Sequence, residues 1–284
     1  MTSGRSNLPY FDFILECLHQ RDADVTEAFS RHVHWGYWDD PGQSDGSISD
    51  FAAAAERLSQ EVITAAGVCA GERVLDVGCG FGGTLAELNQ RFAGMHLFGL
   101  NIDVRQLSYA DGELLPLSNN RVNLVGGDAC RLPFLDASFD VVLCVEAVFH
   151  FAGRDRFFAE VRRVLRPGGR LVLTDFVPRF VVPLLWDYFE RRVKPKITRL
   201  YGPSNMRCTL AGYRELGRLT GMPLTGVRDV TWHTLPSHRV MRPLVRRIGP
   251  DPDGAEEVIK RVQFTMRIGL IRYLILTFVV PVAA

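Results

Sequence analysis

The stretch RVLDVGCGFGGTLAELNQRF, residues 73–92, decides the predicted fold class of this 284-residue chain. Its first six residues, RVLDVG, form a short apolar run that is typical of a fully buried strand. TLAELNQRF, at 84–92, has the spacing of an amphipathic helix. The glycines between them let the backbone turn tightly and let a ligand lie directly against it. The stretch therefore predicts a strand, a ligand-binding loop and a helix.

Four further apolar runs continue this alternation of strands and helices. They are HLFGLN at 96–101, VNLVGGD at 122–128, FDVVLCV at 139–145 and RLVLTDF at 170–176. Strands that alternate with helical patterns indicate a parallel sheet wrapped by helices. LRPGGR predicts a turn before the last run, because the residue before Pro167 is pushed out of the helical region and two glycines follow it.

The two ends of the chain complete the predicted architecture. Residues 8–66 are expected to be mostly helical, and TLAGYRELGRLTG near the other end is a helix. Two late runs, VRDVTWHTL and IRYLILTFVV, extend the sheet at one edge, with one of them antiparallel. We therefore predict an α/β fold with a doubly wound, mainly parallel seven-stranded sheet of Rossmann-like type, a helical N-terminal region and a lid insertion after the fifth strand.

Composition excludes several classes of partner. The 33 basic and 32 acidic residues give a net charge of +1, so the chain lacks the excess of positive charge that binding to nucleic acid or to an anionic membrane favours. Six cysteines without a CxxC or zinc spacing predict a reduced compartment and no metal site. Asp12 and Glu16 argue against a secretory signal, and YLILTFVVPVAA is too short for a membrane helix. We expect a cytoplasmic protein with a small-molecule substrate; whether it forms a homo-oligomer is left open.

The glycine loop fits more than one nucleotide cofactor. Gly78, Gly80 and Gly83 satisfy G-x-G-x-x-G, so a dinucleotide-dependent oxidoreductase is one alternative. Asp76, however, would repel a pyrophosphate and suits a ligand that carries an ammonium group. The aromatic rings of HWGYWDD, at 34–40, can face a cation. Both features favour S-adenosylmethionine, which has an ammonium group, a positive sulfonium and no phosphate.

Four ordered motifs carry a family resemblance. VLDVGCGFGG, GLNID, GGDACRLPFLDASFDVV and LRPGGRLVL resemble, in order and spacing, the class I S-adenosylmethionine-dependent methyltransferases. HWGYW and the histidine after the fourth strand resemble the small-molecule branch with ubiquinone-type and natural-product sugar O-methyltransferases. The resemblance covers 70–177, which it implies is a cofactor-binding core. The sequence pattern around it predicts a helical N-terminal region at 1–69, a lid insertion at 178–207 and a C-terminal part of the same sheet domain at 208–284.

The resemblance also implies which residues hold the cofactor. Asp76 and the loop glycines would bind its methionine end, and Asp128 with Ala129 its adenine. The chain departs from the family at Asn101, where an acidic residue usually accepts the ribose hydroxyls; Asp103 and Gln106 are expected to assist it. The predicted cofactor-binding set is Tyr37, Trp38, Asp76, Gly78, Gly80, Asn101, Ile102, Gln106, Asp128, Ala129 and Glu146.

His150 and Asp175 are the predicted catalytic residues. They follow the fourth strand and end the fifth, so both should face the crevice at the carboxyl ends of the strands. In the related sugar O-methyltransferases, residues at the matching positions are the proposed general base and its partner. Histidine titrates near neutrality, as a base for a hydroxyl requires. A role in substrate hydrogen bonding alone, or in structure, remains an alternative for His150.

The expected reaction is methyl transfer to a hydroxyl of a small, fairly apolar metabolite in natural-product biosynthesis. The apolar insertion FVPRFVVPLLWDYFERRVKPKITRLYGP, at 176–203, would cover the crevice and favours an aromatic, prenyl-like or polyketide-like acceptor. N- or C-methylation is the alternative within the same class. A dinucleotide-dependent oxidoreductase and a catalytically silent binding protein are the alternatives outside it.

Overall fold

The computed structural model describes residues 8–179, 191, 194–247 and 252–282. Its strands are β1 (Arg73–Val77), β2 (His96–Asn101), β3 (Arg121–Gly126), β4 (Phe139–Cys144), β5 (Leu165–Pro178), β6 (Leu224–Asp229) and β7 (Ile271–Val279). Within the described residues they form a seven-stranded sheet of order β3-β2-β1-β4-β5-β7-β6. The first five strands are parallel, and β7 is antiparallel to both β5 and β6. The predicted fold class is confirmed.

Helices cover both faces of this sheet and its carboxyl edge. Those described are α1 (Pro9–His19), α2 (Ala23–Phe29), α3 (Ile48–Ala66), α4 (Gly83–Arg91), α5 (Val104–Glu113), α6 (Arg154–Val164), α7 (Lys194–Tyr201), α8 (Leu210–Thr220), α9 (Thr231–Thr234), α10 (Ser237–Val245) and α11 (Pro252–Arg267). Short 3-10 turns occur at Pro41–Gln43 and Val148–His150.

Strand β1 shows how the two faces are filled. Its residues alternate between faces, as in any strand. Val74 packs into a core that includes residues of α3, α4 and α5, whereas Leu75 packs into a core that includes residues of α6 and α8. Both residues are fully buried. A strand that is covered on both faces reads as a continuous apolar run, which is why the sequence signal for β1 is strong.

A third apolar cluster joins the two ends of the chain. Residues of α1 and α2, among them Ile14 and Phe29, pack against residues of α10 and α11, among them Leu244 and Ile259. The N-terminal helices are therefore not a separate unit. Together with α10 and α11 they form a cap, the term used below for these four helices.

Two boundaries differ from the predictions. The run VRDVTWHTL is not one strand: β6 ends at Asp229, and Thr231–Thr234 is helical. The LRPGGR segment is not only a turn, because β5 already begins at Leu165. Gly168 adopts a positive φ of 79° and donates its N–H to the Val280 carbonyl at 2.9 Å, so hydrogen bonds to the chain after β7 hold the turn against the sheet.

The apolar insertion after β5 is only partly described. Residues 180–190 and 192–193 lie outside the described residues, so the predicted lid role of Phe180, Leu184, Leu185, Trp186 and Tyr188 stays a prediction. The helix α7 belongs to the described part. Most of YLILTFVVPVAA lies in β7. No helix in the described part of the chain has the length and apolar character needed to cross a membrane.

Two helical glycines allow a matched stability test. A Cβ at Gly217, in α8, would lie 2.5 Å from the Met222 carbonyl oxygen and 3.1 Å from the Phe278 ring, whereas a Cβ at Gly112, in α5, would meet nothing within 4 Å. We expect Gly217→Ala to lower the free energy of unfolding by about 1–3 kcal/mol through overpacking. Gly112→Ala should raise it by about 0.5–1 kcal/mol through helix propensity.

Urea unfolding of both variants, followed by circular dichroism, measures these two changes. A Gly217→Ala protein that is as stable as the wild type, or more stable, would contradict the tight contact of Gly217 with Met222 and Phe278, because helix propensity alone favours alanine at both positions.

Candidate active site

Two adjoining cavities lie at the carboxyl edge of the sheet. The first has a volume of about 450 Å³ and is lined by the glycine loop and by the residues that follow β2, β3 and β4. We call it the loop cavity. The second has a volume of about 570 Å³ and is lined mainly by apolar residues of the cap helices, of α7 and of the end of β5. We call it the cap cavity. Five residues line both cavities and form what we call the shared wall: Tyr10, Val33, His34, Glu146 and His150.

The glycine loop forms the floor of the loop cavity. Gly78 adopts a φ of 79°, and a Cβ there would lie 2.4 Å from the Cβ of Ala147, so no side chain fits. Gly80 adopts a φ of 55°, and a Cβ there would approach only the Gln106 Oε1, at 3.9 Å. One side of the loop is therefore closed by the chain after β4, and the other is open to a ligand.

Asp76 brings a buried carboxylate to this cavity. It lies near the end of β1, is 2% exposed and lines the loop cavity. The hydrogen bonds found among the described residues include none to its carboxylate. Burial raises the pKa of Asp76 to about 7. Because a buried charge without a partner is costly, this position suits a ligand that brings a positively charged donor.

The end of β2 presents amides rather than a carboxylate. Asn101 and Gln106 both line the loop cavity, and Asn101 Nδ2 donates to Gln106 Oε1 at 2.9 Å. Asp103 is fully buried outside the cavity, caps α5 and accepts two hydrogen bonds from the Arg105 guanidinium. The expected assistance from Asp103 is wrong, because Arg105 and the helix N-terminus already occupy its carboxylate.

The segment after β3 closes the far end of the loop cavity. Asp128 and Ala129 line it, and Asp128 Oδ1 accepts a hydrogen bond from the Cys130 N–H at 2.8 Å. Ile102, which is 45% exposed, lines the same end. Every residue of the predicted cofactor-binding set therefore lines the loop cavity, with the exception of Tyr37 and Trp38.

Tyr37 and Trp38 are the aromatic residues for which the prediction is wrong. The Tyr37 ring stacks on His233, with ring centroids 4.7 Å apart, and Trp38 Nε1 donates to Asp50 at 2.9 Å. Both rings are buried and line neither cavity. They fix the N-terminal segment to α3 and α9. Of the three predicted cation-facing rings of the HWGYW motif, Trp35 lines the cap cavity.

His150 lies where the prediction requires, on the shared wall. It closes the 3-10 turn Val148–His150 that follows β4. Its Nδ1 pairs with the Pro203 carbonyl at 3.0 Å, and its Nε2 has no hydrogen-bond partner among the described residues. Because a carbonyl only accepts, Nδ1 carries the hydrogen and Nε2 keeps a lone pair. Burial lowers the pKa of His150, which favours the neutral ring over the protonated one.

Asp175 is not the partner of His150, so the predicted pair is wrong. Its carboxylate accepts from Arg154 Nη2 at 2.8 Å, from the Tyr213 hydroxyl at 2.5 Å and from the Phe176 N–H at 2.8 Å. It is fully buried and lines neither cavity. Asp175 does not end the fifth strand, because β5 continues to Pro178, and its side chain turns towards α6 and α8, which supply Arg154 and Tyr213. Asp175 is therefore part of a buried structural ion pair.

Glu146 occupies a more central position than the sequence suggests. Its Oε1 accepts from the Trp35 N–H at 2.8 Å and from the Tyr273 hydroxyl at 2.6 Å. Burial raises the pKa of Glu146 to about 7. Because it lies on the shared wall, it can contact a ligand in either cavity.

Two phenols at the site were missed by the sequence reasoning. Tyr10 of α1 lies on the shared wall, with its ring 6.3 Å from His150, and Tyr201 of α7 lines the cap cavity 5.5 Å from Tyr10. The pKa of each phenol is raised by burial and by the charge of Glu146. The helical spacing of Tyr10 and Ile14 marks an apolar face, but nothing local shows that this face meets the sheet edge.

The structural role of Asp175 predicts a specific loss of stability. Asp175→Ala leaves the Arg154 guanidinium buried without its carboxylate, and we expect the free energy of unfolding to fall by about 3–5 kcal/mol. Urea unfolding measures the change.

Asp136 provides the control for this experiment. It forms an ion pair with Arg163 but its side chain is 79% exposed, so Asp136→Ala should cost less than about 1 kcal/mol. An Asp175→Ala protein with wild-type stability and reduced activity would restore the predicted catalytic role.

Comparison with known proteins places the chain in a family. A family model described as a methyltransferase domain matches residues 75–173. The chain is 40% identical to the methyltransferase GfsG of Streptomyces halstedii over 152 residues, which are 53% of each protein. It is 31% identical to the O-methyltransferase cnsE of Penicillium expansum over 226 residues, which are 78% of this chain and 76% of cnsE. The chain thus spans about half the length of GfsG and about three quarters of cnsE.

The fold comparison agrees with the sequence comparison. The crystal structure of the cyclase SpnF superposes with a TM-score of 0.74 at 23% identity, over 96% of both chains, which shows a common fold. Apart from Val74, the four ordered motifs VLDVGCGFGG, GLNID, GGDACRLPFLDASFDVV and LRPGGRLVL lie within the stretch that the family model matches. The chain belongs to the S-adenosylmethionine-dependent methyltransferases.

Proposed function

We propose that this protein transfers the methyl group of S-adenosylmethionine to a hydroxyl oxygen of a small, largely apolar metabolite of the natural-product type, with His150 as the general base. The observation that carries the proposal is the position of His150 on the shared wall, with Nε2 free of partners among the described residues. The O-methyltransferase name of the Penicillium relative favours oxygen as the acceptor atom.

The loop cavity fits S-adenosylmethionine in the donors and acceptors that it offers. Asp76 would accept from the ammonium group, and the open side of Gly80 would let the cofactor lie on the backbone. Asn101 and Gln106 would hold the ribose hydroxyls, and Asp128 would accept from the adenine amine. When bound, the cofactor supplies an electrophilic methyl group on a positive sulfonium.

His150 performs the proton transfer in this proposal. Its Nε2 lone pair takes the proton of the acceptor hydroxyl, and the Pro203 carbonyl keeps the ring in the tautomer and orientation that present Nε2. The lowered pKa of His150 favours the neutral ring that a base must be. No carboxylate among the described residues is hydrogen-bonded to the ring, so in this proposal a backbone carbonyl takes the orienting role that was predicted for Asp175.

The cap cavity supports an apolar acceptor. At about 570 Å³ it falls within the range of small-molecule sites. Its lining includes many large apolar side chains, among them Phe149, Phe176, Ile197, Met206, Val262 and Phe264. Apolar walls bind an apolar acceptor body and keep water away from the sulfonium.

The direct test is methyl transfer itself. Purified protein is incubated with methyl-labelled S-adenosylmethionine and a metabolite extract of the source organism, and labelled products are identified by mass spectrometry. A product labelled on oxygen supports the proposal, whereas a label on nitrogen or carbon replaces it with the corresponding alternative. Binding of S-adenosylhomocysteine without any labelled product would favour a catalytically silent role.

Asp76 predicts how cofactor affinity depends on pH. The pKa of Asp76 is raised to about 7, and only the ionised carboxylate can pair with the ammonium group. The affinity for S-adenosylhomocysteine should therefore be constant at high pH and fall by up to about tenfold per pH unit below pH 7, as Asp76 becomes protonated. Isothermal titration calorimetry between pH 6 and pH 8.5 measures this dependence.

Asp76→Asn is the matched variant for this measurement. It should bind S-adenosylhomocysteine more weakly than the wild type at high pH. Its affinity should not fall below pH 7, because it lacks the carboxylate that becomes protonated there. A variant with the wild-type pH profile would assign the titration to another group, such as Glu146.

His150→Ala tests the proposed base. We expect the rate of labelled product formation to fall by about 10²-fold or more, with the dissociation constant for S-adenosylhomocysteine near the wild-type value. His19→Ala, at an exposed position near the end of α1, is the control and should leave the rate unchanged. Wild-type turnover in His150→Ala would remove His150 from the mechanism.

A further inference from the structure

Glu146 adopts a backbone conformation that needs an explanation. Its φ is 47°, in the left-handed region that residues other than glycine rarely occupy. Its N–H donates to Thr174 Oγ1 at 2.9 Å, which holds the backbone in this conformation. Such strain persists only where the surrounding structure determines it, and it concentrates at functional sites. The strained backbone therefore indicates a functional role for the Glu146 side chain on the shared wall.

The carboxylate of Glu146 is held on one side only. Oε1 accepts from the Trp35 N–H and from the Tyr273 hydroxyl, so two distant parts of the chain fix its orientation. Oε2 has no hydrogen-bond partner among the described residues. A carboxylate has room for further hydrogen bonds, and a desolvated acceptor without a donor is unfavourable. A bound ligand that supplies a donor would be stabilised at this point.

The other groups of the shared wall do not supply this donor. His34 has both ring nitrogens engaged, with the Trp35 carbonyl and with Ser59 Oγ. The Nδ1 hydrogen of His150 is used by the Pro203 carbonyl. No hydrogen bond between the Tyr10 hydroxyl and Glu146 occurs in the described residues.

The cofactor does not require Glu146 either, if the proposed function holds. Its ammonium, ribose and adenine donors are matched by Asp76, Asn101 with Gln106, and Asp128. On the acceptor side, the cap cavity has a second carboxylate, that of Glu257, which already binds Lys196 at 2.6 Å and Arg261 at 2.5 Å. Glu146 is therefore the carboxylate of the shared wall that remains for the acceptor.

We propose that Glu146 recognises the acceptor: its Oε2 accepts a hydrogen bond from a hydroxyl that neighbours the one deprotonated by His150. The site then selects acceptors with two adjacent hydroxyls on an apolar body, such as catechols and vicinal diols. The proposal rests on the proposed function, because His150 and Glu146 share one wall and act on one ligand. It also moves Glu146 from the predicted cofactor-binding set to the acceptor.

A pair of probes that differ by one hydroxyl tests this selection. The probes are para-tert-butylcatechol and para-tert-butylphenol, and their dissociation constants are measured by calorimetry with the holoprotein saturated with S-adenosylhomocysteine. We expect the wild type to bind the catechol about tenfold more tightly than the phenol, since the second hydroxyl meets a charged acceptor. Wild-type protein that binds both probes equally, or neither of them, overturns the proposal.

Two variants assign the preference to Glu146. Glu146→Gln keeps the shape but places a neutral amide donor at the Oε2 position if its oxygen retains the Trp35 and Tyr273 bonds. This donor can pair only with the oxygen of the second hydroxyl and lacks the negative charge, so the ratio of the two dissociation constants should fall well below the wild-type value. Glu257→Gln carries the same substitution in the same cavity and should keep the wild-type ratio. A preference retained in Glu146→Gln, or lost equally in both variants, overturns the assignment.

Affinity for S-adenosylhomocysteine separates this inference from the proposed function. Glu146→Gln should bind it as tightly as the wild type, which also shows that the variant is folded. Weaker binding by the variant would return Glu146 to the cofactor and overturn the inference. Failure of the wild type to bind S-adenosylhomocysteine would instead overturn the proposed function itself.

Discussion

The reversal of strand order beside β1 is the constraint on which the rest of the structure depends. β1 lies between β2 and β4, and the chain continues away from β1 on both sides. Loops that leave neighbouring strands in opposite directions open a crevice at their carboxyl ends. Asp76 lies one residue before the end of β1, Asn101 ends β2 and Glu146 follows β4. All three reach this crevice because the strands are parallel and in register. The site therefore follows from topology before any side chain contributes specificity.

The part of the site built by local signals could be predicted from the sequence. The β1 run, the glycine loop and Asp76 are contiguous, so their geometry follows from a strand, a tight turn and a helix. Asn101 could be placed at the carboxyl end of β2 because it is the last residue of the apolar run HLFGLN that forms this strand. The strands β1 and β4 are recognisable in the sequence because buried parallel strands read as continuous apolar runs, whereas the edge strand β3 is half-exposed.

The errors concern contacts between distant parts of the chain. Asp175 was expected to face His150, but its partners come from Arg154 and Tyr213, whose approach depends on how α6 and α8 pack beneath β5. Tyr37 was expected at a ligand, but its ring completes the packing between the N-terminal segment and His233. Neither outcome has a signal in residue spacing. The phenols of the cap cavity were missed for the same reason, since helices from both ends of the chain build that cavity.

The shared wall has a consequence for redesign of the enzyme. Five residues belong to both cavities, so a substitution among them alters the lining of both cavities at once. The remaining surface of the cap cavity includes Ile197, Met241 and Val262, which do not line the loop cavity. A substitution at one of these three positions changes the lining of the cap cavity and leaves the lining of the loop cavity as it stands.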